Sequence, residues 1–124
     1  NYGMMLLVSF TYGDTEKEID YLVNKVLNLR IFDDENGVMN KSILDINGEI
    51  LSISQFTLYA NTSKGNRPSY IDALKGEDAI KLYDMFNKKL KSKIHTETGV
   101  FGAEMKVDFI NDGPITILLE KENK

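Results

Sequence analysis

The 124-residue sequence has no cysteine and no tryptophan, a single histidine and only two prolines. Without cysteine there are no disulfides, no thiolate metal ligands and no thiol nucleophile. A histidine-based zinc site is excluded by arithmetic, because His95 has no second imidazole with which to share a metal. Its neighbours Ile94 and Thr96 give it no triad spacing either, so an ordinary surface or strand histidine is expected. No metal and no cofactor are therefore expected. Positive charge is also in deficit. With 15 Lys and Arg against 19 Asp and Glu the net charge is −4, which argues against a protein that coats nucleic acid through bulk electrostatics. No apolar run approaches the roughly 18 residues that span a bilayer, and residues 1–10 lack the basic start and cleavage site of a signal peptide. Neither membrane insertion nor export by that route is expected, and a cytoplasmic location is consistent with the missing cysteine. Phosphate loops of the Walker or dinucleotide type are missing as well.

What remains is an ordinary globular composition, 42% hydrophobic and 27% charged, in a length that suits one domain over residues 1–124. Residues 4–8 form a continuous apolar run, read as a strand buried on both faces. Thr15 and Glu18 have the spacing of a capping box, and Ile19, Leu22, Val23, Val26 and Leu27 follow on one helical face. A short strand at residues 30–32 leads into the turn Asp34-Glu35-Asn36-Gly37. A loop through Asn47-Gly48 precedes a strand over residues 49–59. A second helix, about residues 77–91, aligns Ala79, Leu82, Tyr83, Phe86 and Leu90. Met105, Val107 and Phe109 alternate with Glu104, Lys106 and Asp108 as in a half-buried strand. Asn111-Asp112-Gly113 marks a turn, and Pro114 opens a last strand over residues 115–119. The fold class is α+β, with two helices packed on an antiparallel or mixed sheet system.

Some polar residues resist this pattern. In residues 49–59, Ser52 and Ser54 share a face with Ile50, Phe56 and Leu58, while Gln55, Thr57 and Tyr59 share the other with Leu51 and Ile53. No single register hides every apolar side chain and exposes every polar one. Either the strand is buried on both sides with its hydroxyls satisfied locally, or its end lines a pocket. Thr98-Gly99-Val100-Phe101-Gly102-Ala103 reads as a bulge at a strand entrance or as backbone that a ligand approaches closely. The Gly113-Pro114 bond is open to either isomer. Asp33, Asp34 and Glu35 are expected to serve a turn. Two basic segments could meet RNA: Lys64 with Arg67, and Lys88, Lys89, Lys91 and Lys93, the latter equally well a solvated helix end.

Ser54-Gln55-Phe56-Thr57-Leu58 and Asn111-Asp112-Gly113-Pro114-Ile115-Thr116 resemble the two signature motifs of the D-aminoacyl-tRNA deacylase family, also called D-tyrosyl-tRNA deacylases. Asn28-Leu29-Arg30-Ile31-Phe32, Lys64-Gly65-Asn66-Arg67-Pro68 and residues 98–103 match in order and approximate spacing, so the likeness runs through nearly the whole chain. The resemblance implies antiparallel or mixed sheets forming a barrel-like sandwich with two main helices packed outside. It also implies an extra first strand and hairpin ahead of Asn1-Tyr2-Gly3-Met4, roughly 20 residues, so the chain is expected to be N-terminally truncated.

The implied activity is hydrolysis of the ester joining a D-amino acid, or glycine, to the terminal adenosine of tRNA, with rejection of L-aminoacyl-tRNA. Ser54, Gln55, Phe56 and Thr57 are then expected on the catalytic side, with the Phe56 amide facing the developing oxyanion. Phe101, Gly102 and Ala103, with Met105 beside them, are expected to wall the adenosine and aminoacyl pocket. In a homodimer, Gly113-Pro114 is expected to enter the partner's site as a cis dipeptide and exclude an L side chain. The tRNA's terminal 2′-hydroxyl is expected to assist. Thr57 as a covalent nucleophile is less economical, having no base near it in sequence. Alternatives are a binding module that recognises aminoacyl ends without cleaving them, and an inactive assembly dimer.

Overall fold

Thr15 opens the first helix as its spacing to Glu18 foretells. Its backbone N–H donates to Glu18 Oε1 at 2.7 Å, and its own hydroxyl accepts from Lys17 N at 3.3 Å. Helix α1 (Glu16–Asn28) buries Ile19, Val23, Val26 and Leu27 of the apolar stripe read from the sequence, with Leu22 only partly covered. Helix α2 (Gly76–Lys91) buries Ala79, Tyr83, Phe86 and Leu90 in the same manner, while Leu82 is only partly covered and Asn87 is buried in addition. These come from a computed structural model that describes residues 2–124; Asn1 lies outside the described residues.

Strands β1 (Gly3–Val8), β4 (Glu49–Ser54) and β5 (Thr96–Thr98) form a parallel sheet in the order β1-β4-β5. The register pairs Met4 with Ile50, Val8 with Ser54, and Ser52 with Thr98. Parallel neighbours need crossover connections; α1 lies in the first and α2 in the second. Right-handed crossovers stepping the same way across a sheet put both helices on one face, and α1 packs against α2. Ile50, Phe10 and Ile43 close the core beneath them, with Phe10 set edge-on to Phe86 at 6.4 Å. Between the crossovers, β2 (Phe32–Asp33) and β3 (Met39–Lys41) make a small antiparallel hairpin. The Asp34 carboxylate organises its turn, accepting from Asn36 N at 2.9 Å and Val38 N at 3.0 Å.

Several expectations need correction. The run at residues 4–8 is not buried on both faces: the helices cover one side, and Leu7 on the other is 44% exposed. The strand expected at residues 30–32 lies at Phe32–Asp33, and its partner β3 was not foreseen; nor was β5. The strand expected over residues 49–59 stops at Ser54, where a 3-10 helix takes Phe56–Tyr59. The expected strands at residues 105–109 and 115–119 are not formed, and Phe109 and Leu118 are 51% and 72% exposed. Alternation tells what a strand buries once it is paired, but the neighbour must come from elsewhere, and here none is supplied within the described chain. The architecture is thus α+β with two helices and small sheets, without a closed barrel among the described residues.

Candidate functional site

The parallel register brings the carboxyl ends of β1, β4 and β5 to one edge of the sheet, the edge at which open parallel sheets bind ligands. Ser54, Gln55, Phe56 and Thr57 leave β4 there. Gln55 N–H donates to Val8 O at 2.8 Å, which ties the start of the segment to the end of β1. The Gln55 side-chain amide then donates to Thr57 Oγ1 in a short hydrogen bond. Leu58 N–H is taken by Gln55 O at 3.2 Å, while no acceptor for the Phe56 N–H is found among the described residues. The Phe56 ring meets Tyr70 edge-on at 5.0 Å and carries Lys75 Nζ at 5.6 Å from its centroid. Gln55 and Thr57 are half-buried and packing does not engulf them.

Residues 98–103 form the neighbouring rim. Gly99 N–H donates to Ser52 O at 3.1 Å, and Ala103 N–H closes on Val100 O at 3.1 Å with Gly102 at φ +75°. The segment is therefore a strand exit followed by a turn, not a bulge at a strand entrance. A β-carbon on Gly99 would fall 2.5 Å from Met105 Sδ and 3.2 Å from Ile53 Cδ1. Glycine leaves room there for Met105 to pack over the end of β4, and a side chain would have to displace the Met105 thioether. Phe101 is half-buried with its ring 6.0 Å from that of Tyr83, while Gly102 and Ala103 are exposed.

The structure does not join the third expected segment to these two within one chain. Residues 111–116 form an exposed loop in which Asn111 Oδ1 accepts from Ile115 N at 3.1 Å and Asn111 Nδ2 donates to Thr116 Oγ1 at 3.2 Å. Its Gly113-Pro114 bond is cis, and Gly113 has φ +132°. No hydrogen bond links the loop to residues 54–57 among the described residues.

Charge is spent mostly on structure. Hydrogen bonds from the Val38 and Ser42 amides hold the carboxyls of Asp34 and Asp45 below their usual range, so Asp34 serves its turn. Burial, with Asp14 and Glu120 in second place, raises the Tyr59 phenol. His95 is exposed and faces Glu97 at 3.2 Å; Ile50 N–H donates to its carbonyl, which places it at the far end of β4 from Thr57. No cluster of three or more potential metal ligands occurs among the described residues. Lys89 is engaged by Asp20 and, at 3.0 Å, by Glu16, whereas Lys88 and Lys91 line a cavity with Asn87 and Phe101. Lys64 and Arg67 lie exposed in a loop closed by the Asn61–Ser69 bridge. Sequence reasoning missed Asn87, whose side-chain oxygen accepts from the hydroxyl of Ser52 in the core at 2.7 Å. The signal was an asparagine on the apolar stripe of α2. No helix among the described residues is long and apolar enough to cross a membrane.

The family described as D-Tyr-tRNA(Tyr) deacylase matches residues 1–120. A D-aminoacyl-tRNA deacylase of Bacteroides fragilis (strain YCH46) is 58% identical over 124 residues, taking in 98% of this chain and 83% of that protein. One from Bacillus cereus (strain B4264) is 52% identical over 122 residues, with 98% and 84% covered. A solved structure described as a c-Myc DNA Unwinding Element Binding Protein superposes with a TM-score of 0.91 at 41% identity, over 97% of this chain and 83% of that one. A probable eukaryotic D-amino acid tRNA deacylase shares the fold, with a TM-score of 0.69 at 17% identity over 82% and 76% of the two chains. With a family match over nearly its whole length and relatives more than half identical to it, this chain belongs to the D-Tyr-tRNA(Tyr) deacylase family.

Proposed function

We infer that this protein hydrolyses the ester between a D-amino acid and tRNA. The observation that carries the reading is the segment Ser54–Thr57 at the carboxyl edge of the sheet, where a free backbone amide and an oriented amide-hydroxyl pair are held by a family fold without being consumed in packing. Ester hydrolysis needs a positioned water, a donor for the oxygen that gains charge when water adds to the carbonyl, and a proton for the departing ribose oxygen. The Phe56 N–H supplies the donor. The terminal 2′-hydroxyl of the tRNA supplies or relays the proton. Thr57 is not the nucleophile in this scheme, because its hydroxyl accepts from the Gln55 amide, which cannot take a proton from it. His95, beside Ile50, is about 13 Å of strand away from the end of β4.

Phe101, Gly102 and Ala103, with Met105 packed beneath, wall the terminal adenosine and the aminoacyl group. Gly113-Pro114 enters the site of a second copy and blocks an L side chain. Two features support that arrangement: the loop is exposed, and the flanking residues 105–119 leave apolar side chains uncovered. Pairing of those residues across a homodimer would also complete the barrel-like sandwich. A cytoplasmic site of action follows from a tRNA substrate.

The test is a deacylation time course on matched D- and L-tyrosyl-tRNA. The D-ester is expected to be cleaved while the L-ester stays near its spontaneous rate. Equal rates for both would sink chiral proofreading, and no cleavage of either would favour a binding module. Activity is expected to survive exhaustive chelation with tRNA folding controlled, since the sequence offers no cysteine and one histidine for a tight catalytic metal. Loss with EDTA, restored by a divalent ion, would contradict it.

A further inference from the structure

We propose that the cavity between the carboxyl half of α2 and the turn after β5 is a subsite for the single-stranded RNA nucleotide just upstream of the terminal adenosine. Its base would lie between Asn87 and Phe101, and its phosphate on Lys88 and Lys91. The proposal rests on the tRNA-ester reading and names a second contact for that substrate.

The cavity measures about 380 Å³ and is lined by Tyr83, Asp84, Asn87, Lys88, Lys91 and Phe101, among others. Asn87 carries the argument. It is 6% exposed, on a helical stripe where an apolar residue would pack without cost. An amide has two polar ends, and Ser52 Oγ satisfies only one of them, at 2.7 Å on Oδ1. No acceptor takes Nδ2 among the described residues, yet no buried side-chain nitrogen there is sealed off without a partner. Nδ2 therefore opens on the cavity that Asn87 lines. A half-satisfied buried amide is costly unless something fills its free valence.

The lysines fit the same occupant. Lys89 is consumed by Glu16 and Asp20 of α1. Lys88 and Lys91 make no ion pair among the described residues and stand on the cavity rim, Lys88 one turn beyond Asp84 and Lys91 nearly one further. Asp84 repels a phosphate but accepts from the amino group of a base, so it orients the nucleotide with its base toward Asp84 and its phosphate toward Lys91. An aromatic face with flanking cations is how proteins hold unpaired nucleotides. Phe101 links this cavity to the adenosine wall proposed above. For a chain of net charge −4, a local pair of free cations is the form an RNA contact has to take.

The experiment compares two substrates, D-tyrosyl-tRNA and D-tyrosyl-adenosine, the second lacking every upstream nucleotide. The double variant Lys88→Ala/Lys91→Ala is expected to lose about tenfold in kcat/KM on the tRNA, mainly through KM, with a shallower salt dependence. Its rate on D-tyrosyl-adenosine should equal that of the wild type, and Lys81→Ala, at an exposed lysine of α2 away from the cavity, should change neither. No loss on tRNA, or an equal loss on both substrates, overturns the subsite. If the wild type cleaves neither substrate, the hydrolase reading fails by itself. The subsite is then decided by NMR titration with the trinucleotide CCA and with adenosine. CCA alone should shift the Asn87 side-chain amide, and an unmoved Asn87 signal overturns the proposal.

Discussion

Gln55 and Thr57 show how a residue can be too polar for the strand it extends. In the sequence they fall on the same face as Ile53, and no register accommodates them. In the structure the strand ends at Ser54, and the chain turns into a 3-10 helix at Phe56–Tyr59, so their direction no longer follows strand alternation. Gln55→Ala and Thr57→Ala are each expected to lower kcat/KM by about tenfold, the worth of one hydrogen bond in placing a reactant. Melting temperatures should stay close to that of the wild type. A packed-strand role instead predicts a stability loss of about 1–3 kcal/mol, with activity lost only through unfolding. Thr57→Ser is expected to keep near-normal rates. Asn87 was less legible than these, since an asparagine on an apolar stripe announces a buried polar contact without naming its partner, and Ser52 lies 35 residues away.

At the scale of elements, the two helices were legible because everything that defines them is local. The α1 cap, its stripe and its end are all written within residues 15–28. Thr15→Ala is expected to cost about 1 kcal/mol, measured by urea unfolding, through loss of the cap hydroxyl. The reciprocal arm has a pH signature. The Thr15 amide holds the Glu18 carboxyl below its usual 4.5. A carboxyl lowered in the folded state contributes stability that is present above the unfolded value and is lost as pH falls through the folded one. Glu18→Gln should therefore flatten that part of the acid limb of the stability curve below 4.5 while leaving its shape near neutrality unchanged. The strands were less legible for the opposite reason. β5 is only three residues long and exists because β4 offers it a parallel edge. Residues 105–119 have a strand's alternation but no partner within the described chain.

At the scale of the whole molecule, the family was legible because its two motifs lie in the segments that defied the local pattern, whereas the proposed cross-chain arrangement needs a second copy that a single sequence does not display. Gly113 allows that arrangement to be tested. A β-carbon there would meet Ile115 Cγ1 at 2.8 Å and the Ile115 amide nitrogen at 3.2 Å, at a φ of +132° that side chains rarely adopt. Gly113→Ala is thus expected to disturb the loop by about 1 kcal/mol or more while sparing the core, which it does not touch. The informative sample is a mixed dimer in which a Gly113→Ala chain is paired with a Gln55→Ala chain. If the loop serves the partner, the site that keeps Gln55 receives an intact loop from the other chain, and about half of normal activity should remain, since one of two sites is whole. If the loop serves its own chain, each site carries one of the two defects, and activity should fall to the mean of the two variant homodimers. The measurement is deacylation of D-tyrosyl-tRNA by dimers purified with two different tags, and the second outcome would remove the cross-subunit model.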